Sequence, residues 1–291
     1  MDFKRSILSL LLLFYISSSL LLFTSNPSPM NNVLKEIEAN YRKLVSFNTR
    51  FTGYPEYYEA VEYVSNYFKS LGLKVILQPF KVVIPYDNGS YILNLNTGEK
   101  VKVYALLPNL VQTSSGAYSG KIIYLTNLRE ISPSEVKGNI ILIDYNSRKL
   151  WLELASMGAK AVIFLEPSKT YFRESLTKFV PVPLKFPRAY VTQKDSQKLI
   201  TWSRRGDKVK LVIKMAFKEV TAYNIIGVLE GKNNREIIAV SSHLDSWSPV
   251  PAKAPGVDSA ISTSVLLTLA KHFAQSKDCL LYTSPSPRDR G

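Results

Sequence analysis

The sequence predicts an α/β fold: a sheet domain begins with two helices and a strand, a strand-rich segment interrupts it, and a strand–helix pair resumes it. Three observations carry this. Helical stripes followed by alternating apolar residues occupy positions 31–80. Short β-type runs with Gly and Pro turns fill the stretch from about 82 to 213. A continuous apolar run at 236–240 then leads to a second helical stripe. At 291 residues the chain is long enough for one large domain or two ordinary ones of roughly 100–200 residues. With 46% hydrophobic and 21% charged residues it has ample apolar surface to offset chain entropy, which excludes disorder over its bulk.

The N-terminus reads as an address. Lys4 and Arg5 precede an apolar run at 7–23, broken only by serines, whose length lies between a signal-peptide core and the roughly 20 residues that span a bilayer. Thr24-Ser25-Asn26-Pro27-Ser28-Pro29 reads as a cleavage region or linker. Positions 1–29 are therefore expected to be a signal peptide or membrane anchor with its linker, and the rest to be secreted or membrane-anchored outside the cytoplasm. Cys279 is the only cysteine, so the exported part has no internal disulfide. Asn88-Gly89-Ser90 would be an acceptable N-glycosylation triplet on such a chain.

Asn31 or Asn32 can cap a helix carrying Val33, Leu34, Ile37, Tyr41, Leu44 and Val45 on one stripe. After a loop at 48–54, Pro55 suits the first turn of a second helix with Tyr57, Val61, Val64, Phe68 and Leu71, and Gly72 stops it. Leu73, Val75 and Leu77 alternate with polar residues as a strand running toward Pro79-Phe80. Residues 82–215 are expected to form an inserted β-rich domain, with strands at 100–106, 121–125, 139–143, 161–165 and 188–191 and a helix at 150–157. Then come a strand at 224–229, a turn at 230–234 and the apolar strand 236–240, of the kind buried on both faces. That strand ends at Ser241-Ser242-His243-Leu244-Asp245, and a Pro-rich loop leads to Gly256-Val257-Asp258 and a helix with Val265, Leu266, Leu269 and Phe273 inward.

In an α/β sheet, ligands collect beyond the carboxyl ends of strands, where His243 and Asp245 fall, and Asp258 stands just before the next helix. Zinc takes a neutral imidazole and carboxylate oxygens, and a further carboxylate often orients the ligating imidazole. Spacing alone leaves two readings open, an ordinary polar strand end or a metal site. His272, on the following helix, reads as a solvated surface residue, and Glu230 and Glu236 as turn or surface charges.

The stretch from Asn224-Ile225-Ile226-Gly227 through Ser242-His243-Leu244-Asp245-Ser246-Trp247 to Pro255-Gly256-Val257-Asp258-Ser259 resembles the co-catalytic zinc peptidases of the aminopeptidase and glutamate carboxypeptidase type. The helix at 57–71, the turn Gly72-Leu73-Lys74-Val75 and the strand at Pro79-Phe80 resemble the family's opening. Segments 120–124, 136–143 and 155–163 resemble, in order, those of a protease-associated domain. The resemblance implies a three-layer, zinc-exopeptidase-like sheet domain, split into 30–81 and 216–276 around the insertion. It implies His243 as a ligand of one zinc, Asp258 as a bridge between two zincs, and Asp245 as the catalytic candidate that orients the His243 imidazole. Ser259 and Ser262 stand where the family commonly has Asn or Pro and Gly.

The resemblance also implies a glutamate base and further ligands that do not appear in this chain after Ser276. Residues 277–291 resemble translated sequencing-adapter read-through, and the expectation is a truncated peptidase domain that is inactive alone. The function expected is an exported zinc-dependent exopeptidase, an aminopeptidase, acting on peptides. The rival is a non-catalytic, membrane-anchored receptor or scaffold of the same architecture, against which the trio His243, Asp245 and Asp258 argues. Lys plus Arg exceed Asp plus Glu by 37 to 23, giving +14, but the basic residues are scattered along the chain and no nucleic-acid motif accompanies them. Nucleic acid is excluded as a partner, and a basic surface suited to an acidic exterior or anionic lipid is the reading that stands.

Overall fold

The computed structural model describes residues 28–110, 113–126, 131–170, 172–231, 237–250 and 257–276. The apolar run 7–23, Glu236, Cys279 and the segment 277–291 lie outside the described residues.

Helix α1 (Ser28–Ser46) starts earlier than its asparagines suggest. Pro29 falls in its first turn, where a missing N–H costs nothing because that donor has no intrahelical acceptor anyway. Helix α2 (Pro55–Ser70) begins at the expected proline and buries Tyr57, Ala60, Val61, Val64 and Phe68. Strand β1 (Lys74–Asp87) follows and pairs antiparallel over all fourteen residues with β10 (Met215–Val228). Both positions expected as borders of the insertion, 82 and 215, fall on this ladder. The last helix, α7 (Val257–Gln275), lies against α1 and α2.

These elements share one core, in which Leu44, Phe47, Phe68, Leu73, Ile225, Leu266 and Leu267 meet. Each such side chain contributes about 1.5–3 kcal/mol through burial. The helical layer also carries an internal polar tie: Tyr63 donates to Asn40 Oδ1 at 2.8 Å, and Asn40 Nδ2 donates to Thr268 Oγ1 at 3.4 Å. The asparagine fixes the relative register of α1, α2 and α7. Gly227 shows why the Asn-Ile-Ile-Gly pattern ends in glycine. A Cβ there would stand 2.9 Å from Phe68 and 3.0 Å from Leu73.

Between β1 and β10 the chain forms a second sheet of eight strands, ordered β3-β2-β9-β5-β6-β7-β8-β4. Its members are β2 (Tyr91–Asn94), β3 (Lys100–Lys102), β4 (Tyr104–Ala105), β5 (Gly116–Tyr124), β6 (Ile140–Asp144), β7 (Ala161–Leu165), β8 (Arg188–Val191) and β9 (Lys208–Ile213). The expected strand at 100–106 is split into β3 and β4, which pair with different neighbours, β2 and β8. Strands β5 to β8 are parallel where they pair, and the rest are antiparallel.

The parallel half is covered on both faces. Ile140, Leu142, Ile163 and Val191 pack toward Leu199 and Trp202 of helix α6 (Gln193–Arg204), while Ile141, Val162 and Phe164 pack toward Trp151 and Leu154 of helix α4 (Leu150–Ser156). Two short helices, α3 (Pro133–Val136) and α5 (Phe172–Thr177), complete this part. The antiparallel half is covered on one face only, as such sheets permit.

One expectation fails. Residues 237–240 are not a strand, and Ile237 and Ile238 are 66% and 44% exposed. A strand exists by its ladder, and this run has no ladder with any described strand. Apolar character alone does not supply the missing partner. The helix after it, α7, is present, although it buries Leu266 and Leu267 more completely than Val265 and Leu269.

Candidate metal site

The site is built where the loop between α1 and α2 crosses the segment 242–248. At its centre is Arg50, a residue that motif spacing does not single out. Its side chain is fully buried. Nε donates to the Leu244 carbonyl at 3.0 Å, Nη1 to the Leu44 carbonyl at 2.9 Å and Nη2 to Ser259 Oγ at 3.1 Å. The planar guanidinium thus ties together the end of α1, the peptide between His243 and Asp245, and the first turn of α7. Burial pushes its pKa down to about 10, against which the Asp245 carboxylate acts.

Backbone and hydroxyl contacts complete the join. Arg50 N donates to Ser246 Oγ and Ser246 N donates to Arg50 O, both at 3.1 Å. Thr49 Oγ1 donates to the Ser248 carbonyl at 2.9 Å. Thr52 Oγ1 donates to Asp245 Oδ2 at 3.2 Å. On the other side, Thr263 Oγ1 donates to the His243 carbonyl at 2.7 Å. Ser259 and Thr263 are four apart and so share one face of α7. Segment 242–248 is therefore fixed from two directions without being part of a sheet.

Gly53 makes the crossing possible. Its φ is +87°, and a Cβ would stand 2.7 Å from Ile84 Cδ1 and 2.8 Å from Val220 Cγ2. Only glycine lets the loop lie this close to the β1–β10 ladder.

The three sequence candidates fall as follows. His243 is exposed and held through its backbone carbonyl. Asp245 is half-buried, with its carboxylate oriented by Thr52. Asp258 occupies the second position of α7, immediately before the serine that Arg50 grips, and only its backbone placement is described. Among the described residues no group of three His, Cys, Asp or Glu side chains converges. The donor chemistry of an exposed imidazole and an adjacent carboxylate suits zinc, but the placed donors do not by themselves make a closed site. His272 is exposed on α7 and Glu230 is exposed after β10, as expected of surface residues.

Arg50, Thr52, Ser259 and Thr263 are what the motif reading missed. The one available signal was a lone charge, Arg50, in an otherwise uncharged stretch from 44 to 55. Ser259 departs from the family's usual residue after the bridging Asp, and here its hydroxyl accepts from Arg50.

Residues 224–282 match the sequence profile of Peptidase family M28. A curated relative, Carboxypeptidase Q of Rattus norvegicus, is 34% identical over 67 residues, which is 22% of this chain and 14% of that protein. Carboxypeptidase Q of Xenopus laevis is 25% identical over 234 residues, covering 72% of this chain and 50% of that protein. The fold is similar to that of BSAP, a zinc aminopeptidase from Bacillus subtilis, with a TM-score of 0.58 at 20% identity, covering 87% of this chain and 60% of that one. The chain thus spans about half the length of the Xenopus relative. The M28 pattern lies across the segment that Arg50 and α7 hold in place, and the fold around it is similar to that of a zinc aminopeptidase.

Proposed function

We propose that this chain is that of an exported or membrane-anchored zinc exopeptidase, an aminopeptidase, that hydrolyses peptide bonds. The observation that carries the reading is the docking of 242–248 between the Arg50 loop and α7. It ties Leu244, between His243 and Asp245, to Ser259, next to Asp258, through Arg50, within the segment that matches family M28. Its similarity to zinc aminopeptidases of known structure and to Carboxypeptidase Q supports the reading.

In this reading His243 and Asp258 would hold zinc, Asp258 as a ligand shared between two ions, and Asp245 would keep the His243 imidazole in its ligating orientation. Thr52 holds the Asp245 carboxylate in place, and Arg50 supplies a nearby positive charge. Zinc, when bound, supplies a Lewis acid for the scissile carbonyl and a water acidified toward neutrality. Residues 82–215 are a protease-associated-like module, and 1–29 a signal peptide or membrane anchor.

The test is zinc content and hydrolysis of aminoacyl and peptidyl substrates, measured on this chain and on a version extended to its relatives' length. The expected result is background activity for the chain, and chelator-sensitive activity for the extended protein. Chelator-resistant activity, or none with zinc fully loaded, contradicts the reading; the second outcome favours a receptor.

A further inference from the structure

The antiparallel half of the eight-stranded sheet has an open face, and that face is made of lysines. The ladder registers place Lys102, Tyr91, Val212 and Ala117 in one row across β3, β2, β9 and β5. Lys100, Leu93, Lys210 and Ser119 form the next row, and Lys208 stands directly opposite Lys121 in a third. Lys100, Lys102, Lys121, Lys208 and Lys210 are all exposed. Their strand neighbours Val101, Val209 and Leu211 point the other way, into the core. Lys214, just past β9, reaches back over Tyr91 at 5.3 Å, and Lys100 lies over the same ring at 3.8 Å.

No acidic residue occurs on β2, β3, β5 or β9, and none of the six lysines has an ion pair with a described residue. Like charges placed directly across a ladder, as Lys121 and Lys208 are, lower the stability of a sheet. An anionic surface against the face would relieve that repulsion.

We infer that this lysine face docks on the anionic headgroups of a lipid bilayer. The face extends across four strands, and its charges are compact ammonium groups on flexible stems, suited to a diffuse layer of phosphates rather than to forked recognition of one. Nucleic acid fits less well. The face has no arginine, and the rings its lysines touch, Tyr91 and Tyr104, are covered by lysine instead of being offered for stacking. The apolar, basic-flanked run at 7–23 would bring the chain to a bilayer, and the lysine face would then orient it there. The inference does not depend on the peptidase reading.

The full chain is titrated with vesicles of phosphatidylcholine alone and of phosphatidylcholine mixed with phosphatidylserine. The neutral vesicles measure the contribution of the N-terminal run. Two variants are compared, both losing four charges. One is Lys100→Gln, Lys102→Gln, Lys208→Gln and Lys210→Gln on the face. The other is Lys35→Gln, Lys69→Gln, Lys149→Gln and Lys194→Gln at exposed positions elsewhere. At low salt each lysine near an anionic surface is worth about fivefold in affinity, so the face variant should lose at least about tenfold of the gain from phosphatidylserine, and the other variant far less. Equal losses, no gain from phosphatidylserine, or face-dependent binding of a DNA duplex without any lipid gain would each overturn the inference.

Discussion

Arg50 decides the geometry of the candidate site. A fully buried guanidinium with three acceptors on three separate elements cannot be replaced by a side chain with a single donor head. Arg50→Met would fill much of the space but leave the Leu44 and Leu244 carbonyls without their donor. The expected cost is about 2–5 kcal/mol in denaturant unfolding. Arg50→Lys should recover little of that, since one ammonium cannot span the same three acceptors. Stability within 1 kcal/mol of the parent for the Met variant would show that these contacts do not hold the segment. Gly53 offers an independent check on the same loop. Gly53→Ala combines a left-handed backbone with a Cβ at 2.7 Å from Ile84, and should cost about 2–4 kcal/mol. At this scale the motif singled out His243, Asp245 and Asp258 as candidates. It did not disclose Arg50 or Ser259, because a charge buried by contacts nearly two hundred residues away leaves no local pattern.

Elements were legible where their stabilising contacts are local. Helix α2 begins at Pro55 and ends by Gly72 as its terminal residues dictate, and β7 and β8 have the expected bounds. The misreading at 237–240 is of the opposite kind. Its apolar character is intrinsic, but strand formation depends on a neighbour that local sequence cannot specify. The short helix α5 gives a testable case of an element held by one buried pair. Lys178 Nζ donates to Glu174 Oε2 at 3.0 Å and to the Arg148 carbonyl at 2.7 Å, and Arg148 N donates to the same carboxylate oxygen at 2.8 Å. Burial raises the Glu174 pKa, but these partners outweigh it and hold the carboxyl below its ordinary value of 4.5. A depressed folded-state pKa gives stability that is complete above the unfolded value and lost as pH falls through the folded one. Glu174→Gln should therefore destabilise the protein by about 1–3 kcal/mol at neutral pH and remove part of the stability loss seen below pH 4.5. Parallel pH–stability curves for the two proteins would contradict this.

The whole molecule is organised around the β1–β10 ladder, which leads the chain out of the helical layer and back into it. The change in texture at about 82 was visible in composition. The ladder itself was not, because it pairs residues some 130–150 positions apart in sequence. The eight-stranded sheet has its own cores on both faces of its parallel half. Residues 82–215 alone should accordingly unfold in a single cooperative, β-rich transition by circular dichroism. A non-cooperative loss of signal would mean that this part depends on the helical layer. The central claim concerns the other part, where His243 and Asp258 are proposed to hold metal. It is tested most directly by zinc analysis of the chain extended to its relatives' length, as parent, His243→Ala and Asp258→Ala. About two zinc ions are predicted in the parent. His243→Ala should empty one site and Asp258→Ala should weaken both. Unchanged zinc content in both variants would contradict the assignment.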